Sequence, residues 1–339
     1  MLHLADDLRA RGHYVSFLSV KERGFADYTQ TRGFDSHFLR VRTKVDPYSI
    51  AKMANLMRRL KPDVVHCHLS TSAVNGAIAA RLAGIPSLST VHGMSGKLSF
   101  LPSEHLIAVS SKVRDHLVGQ GVSEAKISIV FNGIPLRCYD SDSRIAARAL
   151  LDLAPDRPVI GTTARLTPMK GLVHALYALA RIREEVPDVV YIVMGDGEQK
   201  EELHELAHKL GLKKHVRWMG YRHDVQDLLP GLDVFMFPSL REAMGISIVE
   251  AMSAHVPVVA AAIGGIPEVV DKESGVLVPP SDPVGLADAT VRLLKDKQLK
   301  SRMGTAAYDR AVSEFSSSRM GERTLAVYFG LLNHRNRLR

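Results

Sequence analysis

Cysteine, aromatic residues and long apolar stretches are all scarce in this chain of 339 residues. Only Cys67 and Cys138 occur, so no disulfide framework is predicted and a reducing cytoplasm is favoured. No apolar run approaches the roughly 20 residues that a membrane-spanning helix needs, and we find no signal peptide. Aromatic residues form 6% of the chain and are not interleaved with the basic ones, which argues against nucleic-acid binding.

Positive charge is concentrated in the first part of the chain. Residues 1–136 carry 17 Lys and Arg against 10 Asp and Glu, a balance of +7, whereas residues 137–339 carry 27 against 26, a balance of +1. A basic surface suits an anionic partner such as a phosphorylated acceptor or the inner face of the plasma membrane. The segment LRVRTKV, residues 39–45, is the candidate for peripheral membrane contact. A mildly basic domain without such a partner is the alternative.

Short apolar, β-branched runs alternate with helical patterns along the whole chain. Runs such as VVYIVMG and VPVVAAA, separated by amphipathic segments such as EQKEELHELAHKLG, predict parallel sheets covered by helices on both faces. The polar segment that begins RCYDSDSR predicts a linker. We therefore predict an α/β protein with domains over residues 1–136 and 158–318, a linker over 137–157, and a terminal helix over 319–339 that returns to the first domain.

The chain opens on a helical pattern, LHLADDLRARGH, with no strand before it. In a doubly wound sheet the first strand is usually central, because later strands add on both sides of it. An opening helix therefore predicts an interruption within the sheet of the first domain. Either the true start lies upstream or another segment fills the gap, and the sequence leaves both open.

The stretch REAMGISIVEAMSAHVPVV, which starts at Arg241, places Glu242 and Glu250 eight residues apart. We expect a helix to begin near Gly245, with Glu242 in the turn before it and Glu250 two turns inside. The free N–H groups of a first helical turn can bind a phosphate, and a carboxylate can accept two hydrogen bonds from the diol of a ribose. The spacing thus suits a nucleotide sugar; two solvated glutamates are the alternative.

Three further segments follow predicted strands of the second domain: GTTARLTPMKG, MGDGE and AIGGIPEVV. The first carries Arg165 and Lys170, two cations that could neutralise a diphosphate leaving group. The two glycines of MGDGE, Gly195 and Gly197, would permit close approach of a ligand, and Gly264 and Gly265 lie in another strand-to-helix turn. Because the carboxyl ends of parallel strands meet at one edge, these segments predict a single site.

Through ARLTPMKG, MGDGE, WMGYRHDV, PSLREAMGISIVEAM and GGIPEVV, the chain closely resembles the family-4 retaining glycosyltransferases, whose signature is E-x7-E. The resemblance covers residues 158 to about 280, and extends more loosely to the first domain through DVVHCH, STVHG, IAVS and VFNGI. It implies the GT-B fold, in which two doubly wound, Rossmann-like domains face a cleft and the first binds the acceptor. Family members normally begin with a strand and a glycine-rich loop, and both are missing from this sequence.

The resemblance also implies roles for individual residues. Arg165 and Lys170 would contact the donor diphosphate, and Glu242 the transferred sugar. The expected catalytic residues are Arg165, Lys170, Glu242 and His92, and the expected donor-binding residues are Glu250, Gly195, Tyr221, Arg222, Met244, Gly245, Ile246 and Ser247. Within these sets Glu250 would bind the ribose, Tyr221 and Arg222 would lie near the base, the amides of Met244–Ser247 would contact sugar or phosphate, and His92 would lie near the donor sugar. Neither a metal nor a cofactor is implied.

The implied activity is retaining transfer of a hexose from a nucleoside-diphosphate sugar, with UDP favoured over GDP, to a glycan or lipid-linked acceptor. The expected setting is cell-surface polysaccharide or lipopolysaccharide synthesis. Because no carboxylate nucleophile is evident, we expect a front-side displacement that depends on positioning and on diphosphate stabilisation. A nucleotide-sugar epimerase and a non-catalytic nucleotide-sugar-binding protein are the alternatives.

Overall fold

A computed structural model of the protein describes residues 1–19 and 25–337. The chain forms two compact units, and each is described separately below. Unit 1 comprises Met1–Gly133 and Ser317–Arg339, and unit 2 comprises Ile134–Ser316. None of the helices in the described ranges is long and apolar enough to cross a membrane.

The elements alternate between strands and helices in both units. The part of unit 1 before Gly133 contains α1 (Leu2–Ala10), β1 (Ser16–Ser19), α2 (Phe25–Thr31), β2 (Asp35–Phe38), α3 (Pro47–Leu60), β3 (Val65–His68), α4 (Ser70–Ala83), β4 (Ser87–Val91), β5 (His105–Ala108), α5 (Ser111–Gly119) and β6 (Ile127–Ile129). Unit 2 contains α6 (Ser141–Leu150), β7 (Val159–Thr163), α7 (Leu172–Glu185), β8 (Val190–Met194), α8 (Lys200–Lys209), β9 (Val216–Gly220), α9 (Val225–Leu228), β10 (Val234–Phe237), α10 (Ile246–Ser253), β11 (Val258–Ala261), α11 (Ile266–Val269), β12 (Gly275–Val278), α12 (Pro283–Lys295) and α13 (Lys297–Phe315). The last helix, α14 (Ser317–Arg337), belongs to unit 1.

The described strands of unit 1 form two parallel sheets instead of one. Strand β1 pairs with β2, and a separate sheet has the order β3-β4-β5-β6. The interruption expected from the opening helix is therefore present in the described part of this unit. On one side, α3 and α4 cover an apolar core that includes Ile50 and Met53. On the other, Leu4 and Leu8 of α1 pack with Met320 of α14.

Unit 2 contains a continuous six-stranded parallel sheet in the order β12-β11-β10-β7-β8-β9. Its four central strands, β11, β10, β7 and β8, are almost wholly buried, whereas the edge strands β9 and β12 are partly exposed, as expected for a parallel sheet covered by helices on both faces. The core includes Ile160 of β7, Tyr191 of β8 and Met236 of β10, all at most 1% exposed. The predicted α/β architecture is thus confirmed.

The segment 137–157, which its polar composition predicts to be a linker, instead contains α6 and lies within unit 2. Asp140 caps α6 by accepting a hydrogen bond from the amide of Ser143 at 2.8 Å. The helix is held by Asp233, which accepts hydrogen bonds from Arg144 and Arg148, both at 2.9 Å. The chain enters unit 2 at Ile134, three residues before the predicted linker.

Asp233 is a buried carboxylate that ties several parts of unit 2 together. Besides the two arginines of α6, it accepts hydrogen bonds from Lys300 Nζ at 2.5 Å and from the amide of Val159 at 2.9 Å. Burial alone would raise the pKa of Asp233, but the cations and the amide outweigh it and hold the pKa below the usual value. The carboxylate therefore joins α6, β7, β10 and α13 into one structure.

Candidate functional site

The loops after β7 and β10 meet in unit 2 at the switch point of the sheet, where the strand order reverses. Strands β8 and β9 follow β7 on one side, whereas β10 lies on the other. In doubly wound sheets, ligands bind beside this switch point, beyond the carboxyl ends of the strands. The loop after β7 carries Arg165 and Lys170, and the loop after β10 carries Glu242.

Lys170 and Glu242 form an ion pair across this switch point. Lys170 Nζ donates to Glu242 Oε2 at 2.6 Å, and the two side chains are only 20% and 16% exposed. The ammonium also lies 5.3 Å from the ring centre of Phe237, and Glu242 Oε1 accepts from the amide of Ala243 at 3.0 Å. Two residues selected from separate sequence segments are thus in direct contact, in a partly shielded setting where electrostatic interactions are strengthened.

Arg165 is a second cation in the loop after β7. Its side chain is exposed, and no hydrogen bond or ion pair holds its guanidinium within residues 1–19 and 25–337. Because a guanidinium presents five donors in a planar fork, Arg165 is available to bind a phosphate. The loop thus combines a paired cation with an unpaired one.

Helix α10 begins where the sequence predicts. Gly245 is its N-cap residue with φ of +93°, the left-handed conformation that favours glycine, and no side chain of the described part caps the helix. The first amides of a helix have no partner within it, so those of Ile246 and Ser247 are suited to an anion. Met244, directly before this cap, is buried, with only 2% of the residue exposed.

Glu250 lies in the second turn of α10 and is half-buried. Burial raises the pKa of its carboxyl group. Across the described part of the chain, neither a hydrogen bond nor an ion pair reaches this carboxylate. A desolvated acceptor without a protein partner is an unfavourable arrangement for stability alone, and it is relieved by a ligand that donates hydrogen bonds.

Gly195 and Gly264 are required by contacts between loops. Gly195 has φ of +150°, and a Cβ there would lie 1.8 Å from the carbonyl oxygen of Ala164. Gly264 has φ of +59°, and a Cβ there would lie 1.8 Å from the carbonyl oxygen of Glu242. The sequence analysis attributes Gly195 to close approach of a ligand and places Gly264 in a strand-to-helix turn. In the structure they let neighbouring loops pack on the two that carry Arg165 and Glu242.

Tyr221 and Arg222 follow β9. The Tyr221 side chain is 72% exposed and packs edge-on against His223 with the ring centres 4.9 Å apart. Arg222 Nε donates to Asp224 Oδ1 at 2.8 Å. An exposed aromatic ring offers a stacking surface, whereas the guanidinium is already engaged by a carboxylate.

His92 belongs to a row of stacked imidazoles in unit 1. Its Nε2 lies 3.0 Å from His68 Nδ1, and the His68 ring stacks on that of His66 with centres 4.3 Å apart. His66 bonds on one side to Thr90 at 2.6 Å and on the other to Tyr328 of α14 at 2.7 Å. Burial lowers the pKa of His92 to about 4 and that of His66 to about 3, so both rings are neutral at physiological pH.

Two family models together match most of the chain. The model of the glycosyl transferases group 1 matches residues 143–310, and that of glycosyltransferase family 4 matches residues 1–137. An Escherichia coli enzyme, UDP-Gal:alpha-D-GlcNAc-diphosphoundecaprenol alpha-1,3-galactosyltransferase, is 31% identical over an alignment of 278 positions that covers 75% of this chain and 72% of the relative. This chain belongs to the group 1 glycosyltransferases. The predicted family is thus confirmed.

Other proteins extend the similarity of this glycosyltransferase. The lipopolysaccharide core biosynthesis glycosyltransferase LpsE of Rhizobium meliloti is 28% identical over 78% of the chain and 75% of its own length. The structure of Anabaena HepE in complex with UDP and glucose superposes with a TM-score of 0.84, at 22% identity over 96% of the chain and 94% of HepE. A Rickettsia africae glycosyltransferase gives 0.86 at 20% identity over 98% and 93% of the two chains. These structures confirm the GT-B fold.

Within unit 2 of the glycosyltransferase, the predicted site residues fall into two groups. The loops that carry Arg165, Lys170 and Glu242 meet α10, which carries Glu250, at the switch point, and Gly195 packs against the first of them. Tyr221 lies after the edge strand β9.

The sequence analysis missed the partners of the imidazole row, Thr90 and Tyr328. The alternation in VHCH, which places both histidines on one strand face, was the available signal for the row itself.

Proposed function

We propose that this glycosyltransferase moves a hexose from a UDP-sugar to a glycan or lipid-linked acceptor, with retention of configuration and without a metal ion. The proposed setting is cell-surface polysaccharide or lipopolysaccharide synthesis at the cytoplasmic face of the membrane. The UDP bound to HepE and the UDP-Gal named for the Escherichia coli relative support the choice of donor. The names of that relative and of LpsE support the choice of acceptor class.

The observation that carries the proposal is the Lys170–Glu242 pair beside Arg165 and the start of α10. A diphosphate bound here would lie between two cations and the amides of Ile246 and Ser247. These groups are held by the fold before the reaction, so they would stabilise the charge on the leaving group without reorganising. Their combined charge is the reason that no metal is needed in the proposed reaction.

The two glutamates would bind the neutral parts of the donor. Glu250, with its unpaired and desolvated carboxylate, accepts the two hydrogen bonds of the ribose diol. Glu242 accepts hydrogen bonds from hydroxyl groups of the transferred sugar while it holds Lys170 in place. We assign Tyr221 as a stacking surface for the base.

In the proposed reaction the bond between the anomeric carbon and the diphosphate oxygen breaks. The acceptor oxygen bonds to the same face of that carbon, which preserves its configuration. The acceptor proton passes to the departing phosphate, and the products are UDP and the new glycoside. Lys170 and Arg165 act on the charge that develops on the diphosphate, whereas Glu242 positions the sugar and removes no proton.

A panel of UDP-sugars and GDP-sugars, assayed for transfer with EDTA present and absent, tests this function. We expect turnover with a UDP-sugar and an unchanged rate in EDTA. The NMR coupling constant of the product's anomeric proton should match that of the donor, which would show retention of configuration. Glu242→Gln should lower turnover, whereas Glu185→Gln serves as the control, because Glu185 forms an exposed ion pair with Lys295 at the far end of α7. Epimer formation without acceptor would indicate the epimerase, and tight donor binding without transfer would indicate a binding protein.

A further inference from the structure

Arg310 of α13 lies outside the motifs of the candidate site, yet its guanidinium group makes three contacts within unit 2. Its Nε donates to the carbonyl oxygen of Val269 at 2.7 Å, and Nη2 donates to that of Glu268 at 2.8 Å. Its Nη1 pairs with Asp271 Oδ2 at 2.9 Å, and the side chain is only 27% exposed. Because the guanidinium is planar, three acceptors around it fix both its position and its orientation.

These contacts hold the end of α11. The last carbonyl groups of a helix have no partner within it, and a cation there satisfies them and interacts favourably with the helix dipole. Asp271 is in turn fixed, because its Oδ1 accepts from the amide of Ser274 at 2.9 Å and from the hydroxyl group of Ser274 at 2.7 Å. Arg310 therefore joins α13 to the end of α11 and to the turn that leads into β12.

Helix α11 connects the end held by Arg310 to the turn formed by Gly264 and Gly265. It has four residues, and both Ile266 and Val269 are completely buried. A helix so short and so closely packed has little room to bend between its ends, because a packed interior transmits strain. A displacement at the end beside Arg310 is therefore passed to the glycine turn.

The glycine turn lies directly against the backbone of Glu242. A Cβ at Gly264 would be 1.8 Å from the Glu242 carbonyl oxygen and 2.9 Å from its carbonyl carbon, so the two backbones are in contact. The same loop is also tied to the loop after β7, because the amides of Leu240 and Arg241 donate to the Met169 carbonyl oxygen at 2.8 and 3.3 Å. The position of Glu242 is thus set by the glycine turn as well as by the loop after β7.

We propose that Arg310 is a positioning residue for Glu242. It acts from α13 through α11 and the glycine turn, and it keeps the Glu242 carboxylate where this group pairs with Lys170 and accepts hydrogen bonds from the transferred sugar. The inference rests on the proposed function, which assigns the sugar to Glu242. UDP has no transferred sugar, so Arg310 should affect transfer and sugar recognition but leave the affinity for UDP unchanged.

Steady-state kinetics and UDP titration of Arg310→Gln test the proposal. A misplacement of about 1 Å can lower a rate about 100-fold, so kcat should fall about 10- to 100-fold, whereas the Kd for UDP should stay within about twofold. Arg310→Lys can keep one of the three contacts and should have an intermediate kcat. Arg302→Gln is the control, because Arg302 is an exposed arginine of the same helix. A loss of UDP affinity as large as the loss of kcat would overturn the proposal.

A double-mutant cycle shows whether Arg310 acts through Glu242. In the chain with Glu242→Ala, Arg310→Gln should lower kcat further by less than about twofold, because the side chain that it positions is gone. The matched cycle with Arg302→Gln should show no coupling. An equal fold-change in kcat with and without the Glu242 side chain would overturn the proposal, since Arg310 would then act by another route.

Hydrogen exchange of the ligand-free chain tests the contact path without any turnover. The amides of Leu240 and Ala243 are hydrogen-bonded, so their loop should be protected in the unmodified chain. Arg310→Gln should reduce protection in α11 and in residues 240–245 but not in β8, and Arg302→Gln should change neither. Unchanged exchange in residues 240–245 would overturn the proposal whatever happens to kcat. Faster exchange there in a chain that transfers no sugar would refute the proposed function and leave the contact path supported.

Discussion

The two units follow one scheme of alternating strands and helices, yet they use it differently. Unit 2 has a continuous sheet whose switch point brings Lys170 and Glu242 together at 2.6 Å. The described strands of unit 1 form two sheets, and the stacked imidazoles of His66, His68 and His92 lie on β3 and directly after β4. The site of unit 2 joins charged side chains from separate loops, whereas the imidazole row of unit 1 follows two neighbouring strands. Unit 2 therefore holds a cluster of charged groups, and unit 1 holds a cluster of buried rings whose pKa values burial lowers.

Removal of Asp233 should have the largest effect, and it should fall on unit 2. In Asp233→Ala, two arginines and Lys300 lose their shared carboxylate. Uncompensated buried charge costs about 3–5 kcal/mol, so the free energy of unfolding of unit 2 should fall by that amount. Hydrogen exchange monitored by mass spectrometry would show it as lost protection in β7 and β10. The exposed Asp188→Asn should change nothing, and equal loss of protection in unit 1 would contradict the separation of the units.

Lys170→Ala should remove most of the catalytic stabilisation in unit 2. Loss of one fixed group that stabilises developing charge typically costs about 100- to 1,000-fold in turnover. We expect that loss in kcat with the preferred donor, and a smaller change in the affinity for UDP. Lys200→Ala is the control, since that lysine is exposed and its contact with Asp196 spans 3.9 Å. A kcat within twofold of the unmodified enzyme would exclude the assigned role.

Acid should destabilise unit 1 more than unit 2. The folded pKa of His66, about 3, and of His92, about 4, lie below the ordinary value of 6.5, so the unfolded state binds the additional protons. The stability they contribute is complete above about pH 6.5 and falls as the pH decreases, by about 2 kcal/mol for each ring at pH 5. Hydrogen exchange at pH 7 and pH 5, corrected for intrinsic rates, would locate the loss in β3 and β4. His66→Asn should reduce the pH dependence, and an equal loss in β7 and β8 would refute the assignment.

Glu250→Gln should have the smallest of these effects, confined to donor binding. An amide accepts the ribose hydroxyl groups less well than a carboxylate, and the loss of one charged hydrogen bond is about 1.5–3 kcal/mol. The KM for the UDP-sugar should rise about 10- to 150-fold while kcat changes little. A 2′-deoxyribose donor provides the matched test, because it keeps only one of the two hydroxyl groups and should therefore lose less affinity in the variant than the ribose donor does. A variant that still discriminates fully between ribose and deoxyribose would remove Glu250 from the ribose site.

Sequence patterns predicted the parts of this molecule whose determinants are local. The start of α10 was predicted from Gly245 and from the spacing of Glu242 and Glu250. A glycine that can adopt a left-handed φ, followed by an apolar run, is enough to mark the beginning of this helix. Continuously apolar runs predicted the buried parallel strands. The opening helix predicted the interruption in the sheet of unit 1.

Other features depend on partners far away in the chain. The segment 137–157 reads as a linker because the carboxylate that holds Arg144 and Arg148 lies 85 or more residues downstream, at Asp233. The packing of Gly195 against Ala164 and of Gly264 against Glu242 is not evident from either glycine motif alone, because the partner loops come from other motifs. His66 and Tyr328 are in contact although they lie 262 residues apart. Patterns among residues that are neighbours in the sequence do not predict these long-range contacts.

The return of α14 to unit 1 has a consequence for synthesis on the ribosome. Residues 134–316 are contiguous and include every strand of unit 2, so this unit can fold while the chain is still growing. Leu4 and Leu8 are made before unit 2, but Met320, which packs with them, is made after it. Helix α1 therefore waits with an incompletely covered apolar face while unit 2 is made. A chain that stops before α14 would leave that face as a target for chaperones or proteases.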